Sequence, residues 1–151
     1  MSERVRGNLI IIGGAEDKVG EKAILKHVAG VVKERGGGLV VLTTATEKPQ
    51  EVGNNYRTVF ESLGLSDIDV LNINSRDEAN LDENAERIIN SGGVFFTGGD
   101  QLRITSILGG TKAYLALYEA YSKGVVVIGT SAGASVMSNT MVVERSEEQH
   151  V

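Results

Sequence analysis

Apolar residues in this chain fall into short unbroken runs that alternate with stretches of helical spacing. Asn8 to Ile12 reads Asn-Leu-Ile-Ile-Ile and predicts a strand ending at Gly13-Gly14. A helix is expected across roughly Lys18 to Glu34, where Ile24, Val28, Val31 and Val32 make one buried stripe. Gly36-Gly37-Gly38 stops it. Leu39 to Leu42 predicts a second strand, followed by a polar loop from Thr43 to Pro49. The next helix carries Val52, Tyr56, Val59, Phe60 and Leu63 on one face, and Ile68 to Ile73 is the third strand. Leu81, Ala85, Ile88 and Ile89 mark a short third helix ending at Gly92-Gly93.

Val94-Phe95-Phe96 is the fourth strand and runs into Thr97-Gly98-Gly99-Asp100-Gln101. An amphipathic segment with Leu102, Ile107 and Leu108 follows. After Gly109-Gly110, Tyr114, Leu117, Tyr118 and Tyr121 form another stripe. Gly124 closes that helix, and Val125 to Ile128 is the fifth strand. Strands alternating with helices imply βαβ units and a parallel sheet. Continuous apolar strands are what a sheet covered on both faces requires. The expected fold is therefore α/β, with one domain over residues 1–151 and no repeat, linker or low-complexity segment.

Composition narrows the class. A chain of 151 residues, 41% hydrophobic and 23% charged, is ordinary for a soluble globular domain. Nineteen glycines against one proline suggest tight turns rather than disorder. The absence of cysteine excludes disulfides and thiolate metal sites and fits a cytoplasmic protein. A net charge of −5, with no Lys/Arg cluster, argues against nucleic acid as a partner. The longest apolar runs are far short of a membrane span, and no secretory apolar core follows the N-terminus.

Candidate chemistry lies where glycines follow strands. In an open parallel sheet, ligands bind beyond the carboxyl ends of the strands. Gly13-Gly14, Gly98-Gly99 and Gly129 to Gly133 all fall there. Gly129-Thr130-Ser131-Ala132-Gly133 has the Gly-x-Ser-x-Gly pattern of a nucleophile elbow, directly after a hydrophobic strand. In that reading Ser131 attacks a carbonyl, and the backbone N–H of Ala132, with one from Gly98 or Gly99, holds the oxyanion. A simple turn is the plainer reading of Gly98-Gly99. A phosphate cradle is the competing one, but neither Gly-x-Gly-x-x-Gly nor a Gly-Lys-Ser/Thr ending is present. A serine nucleophile needs a base. Of the two histidines, His27 reads as a solvated or partly packed helix residue, and His150 lies one residue from the end of the chain. Neither is a convincing base.

Three motifs carry a resemblance: Ile12-Gly13-Gly14-Ala15-Glu16-Asp17-Lys18, Phe96-Thr97-Gly98-Gly99-Asp100-Gln101, and Gly129 through Ser138. Together, in this order and spacing, the chain resembles cyanophycinase, a serine-type exopeptidase family related to aspartyl dipeptidases. The resemblance runs from about Gly7 to Val143. It implies a three-layer, doubly wound, mostly parallel sheet of the class I glutamine-amidotransferase-like type. It implies hydrolysis of cyanophycin, a poly-aspartate with arginine on each side-chain carboxylate, to β-aspartyl-arginine. By resemblance Ser131 is the nucleophile, Gly98, Gly99 and Ala132 are the oxyanion region, and Gln101 contacts substrate. No metal or organic cofactor is implied.

The family's histidine and acid follow the serine at a longer interval than His150 allows. The chain therefore looks like the N-terminal part of such an enzyme, incomplete at its C-terminus. A chain ending there would leave a sheet edge open and would self-associate or take a partner. A homodimer is also consistent with the family, whose members are often dimers. The alternatives are an aspartyl dipeptidase-like hydrolase of small peptides and a noncatalytic truncated homologue acting as a binding or interaction protein.

Overall fold

The computed structural model describes residues 8–12 and 18–130. Five strands and six helices follow one another in it. Strand β1 is Asn8–Ile12, helix α1 Lys18–Arg35, β2 Leu39–Leu42 and α2 Pro49–Ser62. Then come β3 Ile68–Leu71, α3 Arg76–Ala79, α4 Asp82–Ile89 and β4 Gly93–Phe96. The last are α5 Gln101–Leu108, α6 Lys112–Ser122 and β5 Val126–Thr130. The sheet has the order β1-β5-β4-β2-β3, and each neighbouring pair is parallel.

Alternation along the strands divides the core in two. Leu39, Val41, Phe95, Val126 and Ile128 face α1 and α2, packing with Leu25, Val28, Val32 and Phe60. Val40, Leu42, Leu71, Val94, Phe96 and Val127 face the other way, onto Ala79, Ile88, Ile104, Leu108, Ala116 and Leu117 of α3 to α6. The period-two pattern thus loads both faces with apolar side chains, and helices cover both. This is the expected three-layer, doubly wound arrangement.

The faces follow from the path of the chain. From β1 to β2 to β3 it moves one way across the sheet, and from β3 to β4 to β5 it returns. Right-handed crossovers send the two sets of helices to opposite sides. Strands β2 and β4 are neighbours, yet α2 leaves one towards the first face and α5 leaves the other towards the second. A crevice opens at their carboxyl ends.

Several sequence expectations shift. The third strand ends at Leu71 rather than Ile73, because Ser75 caps a separate short helix, α3. Its hydroxyl accepts from Glu78 N–H at 3.2 Å, while Glu78 Oε1 accepts from Asn74 N–H at 2.8 Å. That capping box satisfies the helix start and draws residues 72–75 out of the sheet. On α6 the buried positions are Ala113, Ala116, Leu117 and Ala120, whereas Tyr114, Tyr118 and Tyr121 are half-buried. Alanines allow close approach to the sheet and to α4, so the large rings are pushed to the margins. Leu102, expected in the α5 stripe, is 71% exposed, and Ile104 takes the inward place.

Among the described residues, no helix is long and apolar enough to cross a membrane. On the first face, Tyr56, Phe60 and Phe95 form an aromatic cluster. The Tyr56–Phe95 centroids are 4.7 Å apart, and Phe60 meets Phe95 edge-on at 5.4 Å. Replacing the fully buried Phe95 by alanine removes the centre of that cluster. Phe95→Ala is expected to cost about 3–5 kcal/mol, read as a lower midpoint in urea at unchanged slope. A loss near zero would show that the cluster does not anchor α2 to the sheet.

Candidate functional site

The crevice at the ends of β2 and β4 is lined by two connections. After β2, Thr43 to Lys48 make a tight loop. Thr46 N–H donates to the Thr43 carbonyl at 3.1 Å, and Lys48 N–H to Thr46 Oγ1 at 3.0 Å. Pro49, without an N–H to lose, then opens α2. After β4, Thr97 to Asp100 lead into α5. Thr97 N–H donates to the Leu42 carbonyl at 3.0 Å, and Asp100 N–H to the Ala45 carbonyl at 2.9 Å. Arg103 Nε–H, in the first turn of α5, donates to the Thr44 carbonyl at 3.0 Å. Backbone and guanidinium together clamp the turn to the loop.

Gly99 is where the clamp demands glycine. Its φ is +148°, and a Cβ on it would lie 2.2 Å from the Ala45 carbonyl oxygen. No other residue fits. Asp100 then caps α5, its carboxylate accepting from Leu102 N–H at 2.9 Å. Among the described residues, the N–H groups of Gly98 and Gly99 meet no backbone carbonyl, unlike those of Thr97 and Asp100 on either side. Gly98 is half-buried, while Gly99 and Gln101 are exposed. The turn thus presents two peptide N–H groups that no described backbone carbonyl engages, at the start of a helix, where partial positive charge accumulates. Such an arrangement can stabilise an anion.

A cavity of about 410 Å³ adjoins Gly98, lined further by Val52, Asn55, Tyr56 and Val59 of α2. Two buried hydroxyls at the same crevice, Thr44 Oγ1 and Thr97 Oγ1, have no hydrogen-bond partner. Each unsatisfied buried hydroxyl costs about 1–3 kcal/mol. They are the buried side-chain polar atoms of this kind among the described residues.

Of the sequence candidates, Gly98, Gly99 and Gln101 stand together at this crevice. Ser131 and Ala132 lie outside the described residues, as do Gly13-Gly14 and His150. The residue before Ser131, Thr130, ends β5. Strand β5 lies beside β4, with Gly129 paired to Phe96, two residues before Gly98. His27 is exposed on α1, beside Lys26, Gly30 and Glu34. Among the described residues, no group of three or more His, Cys, Asp or Glu side chains is placed to hold a metal. The glycine pattern did not single out the Thr43–Lys48 loop or Arg103. The signal was available: that loop, too, follows the carboxyl end of a strand.

Comparison with known proteins agrees with the motifs. Residues 9–151 match the profile of peptidase family S51, and the chain belongs to that family. A cyanophycinase of Geminocystis herdmanii is 32% identical over 143 residues, covering 94% of this chain and 53% of the relative. A cyanophycinase of Synechococcus elongatus is 34% identical over 142 residues, covering 91% and 43% respectively. The chain therefore spans about half the length of the curated relatives it matches. Among solved structures, a peptidase from an acI-B1 Actinobacterium has a TM-score of 0.70 at 21% identity, over 87% of this chain and 56% of its own. A putative peptidase E protein from Listeria monocytogenes EGD-e has a TM-score of 0.61 at 23% identity, over 84% and 59%. These likenesses are of fold, the class I glutamine-amidotransferase-like sandwich.

The clamp makes separable predictions for stability. Gly99→Ala must move the Ala45 carbonyl or abandon its φ, and is expected to cost more than about 1 kcal/mol. Asp100→Ala is expected to cost about 1 kcal/mol through loss of the cap, and Asp100→Asn much less. Chemical denaturation of the three variants checks the order; a Gly99→Ala variant as stable as the parent would contradict the clamp.

Proposed function

We propose that this chain carries the nucleophile half of a serine-type peptidase that hydrolyses cyanophycin, releasing β-aspartyl-arginine. The observation that carries the reading is the Gly98–Gln101 turn. It offers unpartnered N–H groups beside β5, the strand that leads directly into Ser131. Family membership supports peptidase chemistry, and the curated relatives named as cyanophycinases support the substrate.

In this reading Ser131 Oγ attacks the scissile carbonyl and gives up its proton to a general base. The tetrahedral oxyanion is held by N–H groups of Ala132 and of Gly98 or Gly99. Collapse expels the amine, which takes the proton, and leaves an acyl-serine. Water then attacks the ester, and the acid departs as Ser131 is restored. Gln101, exposed at the start of α5, contacts bound substrate in this reading. The base and its acidic partner are assigned to the part of the family that this chain does not cover. His27, exposed on α1, is not given that role.

The test is hydrolysis by the full natural chain. Release of β-aspartyl-arginine from cyanophycin is expected to exceed cleavage of simple aspartyl dipeptides. Ser131→Ala is expected to abolish it, a loss of at least roughly 10³-fold, while the circular dichroism spectrum stays unchanged. Gln101→Ala is expected to raise KM more than it lowers kcat. Preferential cleavage of aspartyl dipeptides would replace the substrate assignment. Full activity in Ser131→Ala would remove the mechanism.

A further inference from the structure

We infer that Arg103 is a specificity residue that binds a free carboxylate of the substrate at the crevice between β2 and β4. This rests on the peptidase reading above and adds to it a recognition site for charge.

Arg103 is half-buried at the first turn of α5. Among the described residues, one of its five N–H groups is engaged: Nε–H donates to the Thr44 carbonyl at 3.0 Å. Among the described residues, no carboxylate pairs with it; Arg87, Lys112 and Lys123 have acidic partners, whereas Arg35, Arg57 and Arg76, like Arg103, hold a backbone carbonyl. The Nε bond fixes the plane of the guanidinium and leaves the Nη1–Nη2 edge without a partner among the described residues. That edge is the fork that accepts a carboxylate with two parallel hydrogen bonds. A cation already immobilised loses little freedom when it takes a ligand.

Its surroundings point the same way. Thr44 supplies the carbonyl that holds Arg103, and its own buried hydroxyl lacks a partner, as does that of Thr97. Unsatisfied polar groups gather where a ligand or water completes them. The turn that Arg103 clamps is the one bearing Gly98 and Gln101. The nearest acid along α5, Asp100, has its carboxylate turned onto Leu102 N–H, where it caps the helix. The whole chain is acidic, at −5, so a negatively charged ligand needs a dedicated cation here. Cyanophycin supplies the matching group. Each arginine is joined through its amino group to an aspartate side chain, which leaves the arginine's own carboxylate free. A guanidinium clamp would select that acid over its neutral amide.

The experiment titrates the full natural chain, carrying Ser131→Ala so that nothing is consumed. The ligands are a two-repeat fragment of cyanophycin with its carboxylates free and the same fragment with them amidated. The parent is expected to bind the acid at least roughly tenfold more tightly than the amide. Arg103→Gln is expected to abolish that preference, lowering the affinity for the acid towards that for the amide, in a variant whose circular dichroism spectrum matches the parent. Arg103→Lys is expected to keep part of it. An undiminished preference in Arg103→Gln overturns the inference. So does an equal loss for acid and amide, which would make Arg103 a tie between loops and nothing more. If the parent binds neither ligand and the unsubstituted chain releases no dipeptide from cyanophycin, the peptidase reading falls, and this one with it.

Discussion

The Ala45 carbonyl is the contact on which the candidate site depends. It accepts the Asp100 N–H, and it lies so close to Gly99 that only a residue without a Cβ fits. Because Asp100 takes that bond, it enters α5 in the extended conformation a cap needs. Because Gly99 turns there, Gly98 keeps its N–H unspent. The glycine pair is thus explained first by packing, and its chemistry is a consequence of that packing. The same two connections sit where neighbours β2 and β4 send their helices to opposite faces. Topology opens the crevice, and the clamp fixes its rim.

Much of this architecture was legible in the chain. The five apolar runs located all five strands to within two residues, because strands buried on both faces cannot hide among polar positions. Helix existence followed from spacing, but the inward face of a helix did not always follow from the largest side chains. On α6 the alanines go in and the tyrosines sit at the edge, since closeness to α4 outweighs the area a ring would bury. On α1 the buried set is centred on Leu25, Val28, Ala29 and Val32, a slight rotation from the expected stripe. The helix α3 was missed because its signal is a capping box of four residues, too short for periodicity to register.

The candidate site was partly legible for a different reason. Gly98, Gly99 and Gln101 stand out as a motif, and the sheet gathers them at one crevice. Thr44, Ala45 and Arg103 do not stand out, because their roles come from contacts between segments 59 residues apart in sequence. A carbonyl acceptor has no residue signature at all. Spacing along one segment reports local structure. It is silent on which loop a turn will lean against.

The central claim is that the turn at Gly98 and the serine after β5 form one acyl-transfer centre. Reaction of the full natural chain with a fluorophosphonate probe, followed by peptide mapping, tests it most directly. The account predicts a single adduct on Ser131, lost when the clamp is broken by Gly99→Ala in a variant that remains folded. Absence of an adduct, or an adduct on another serine, would contradict it.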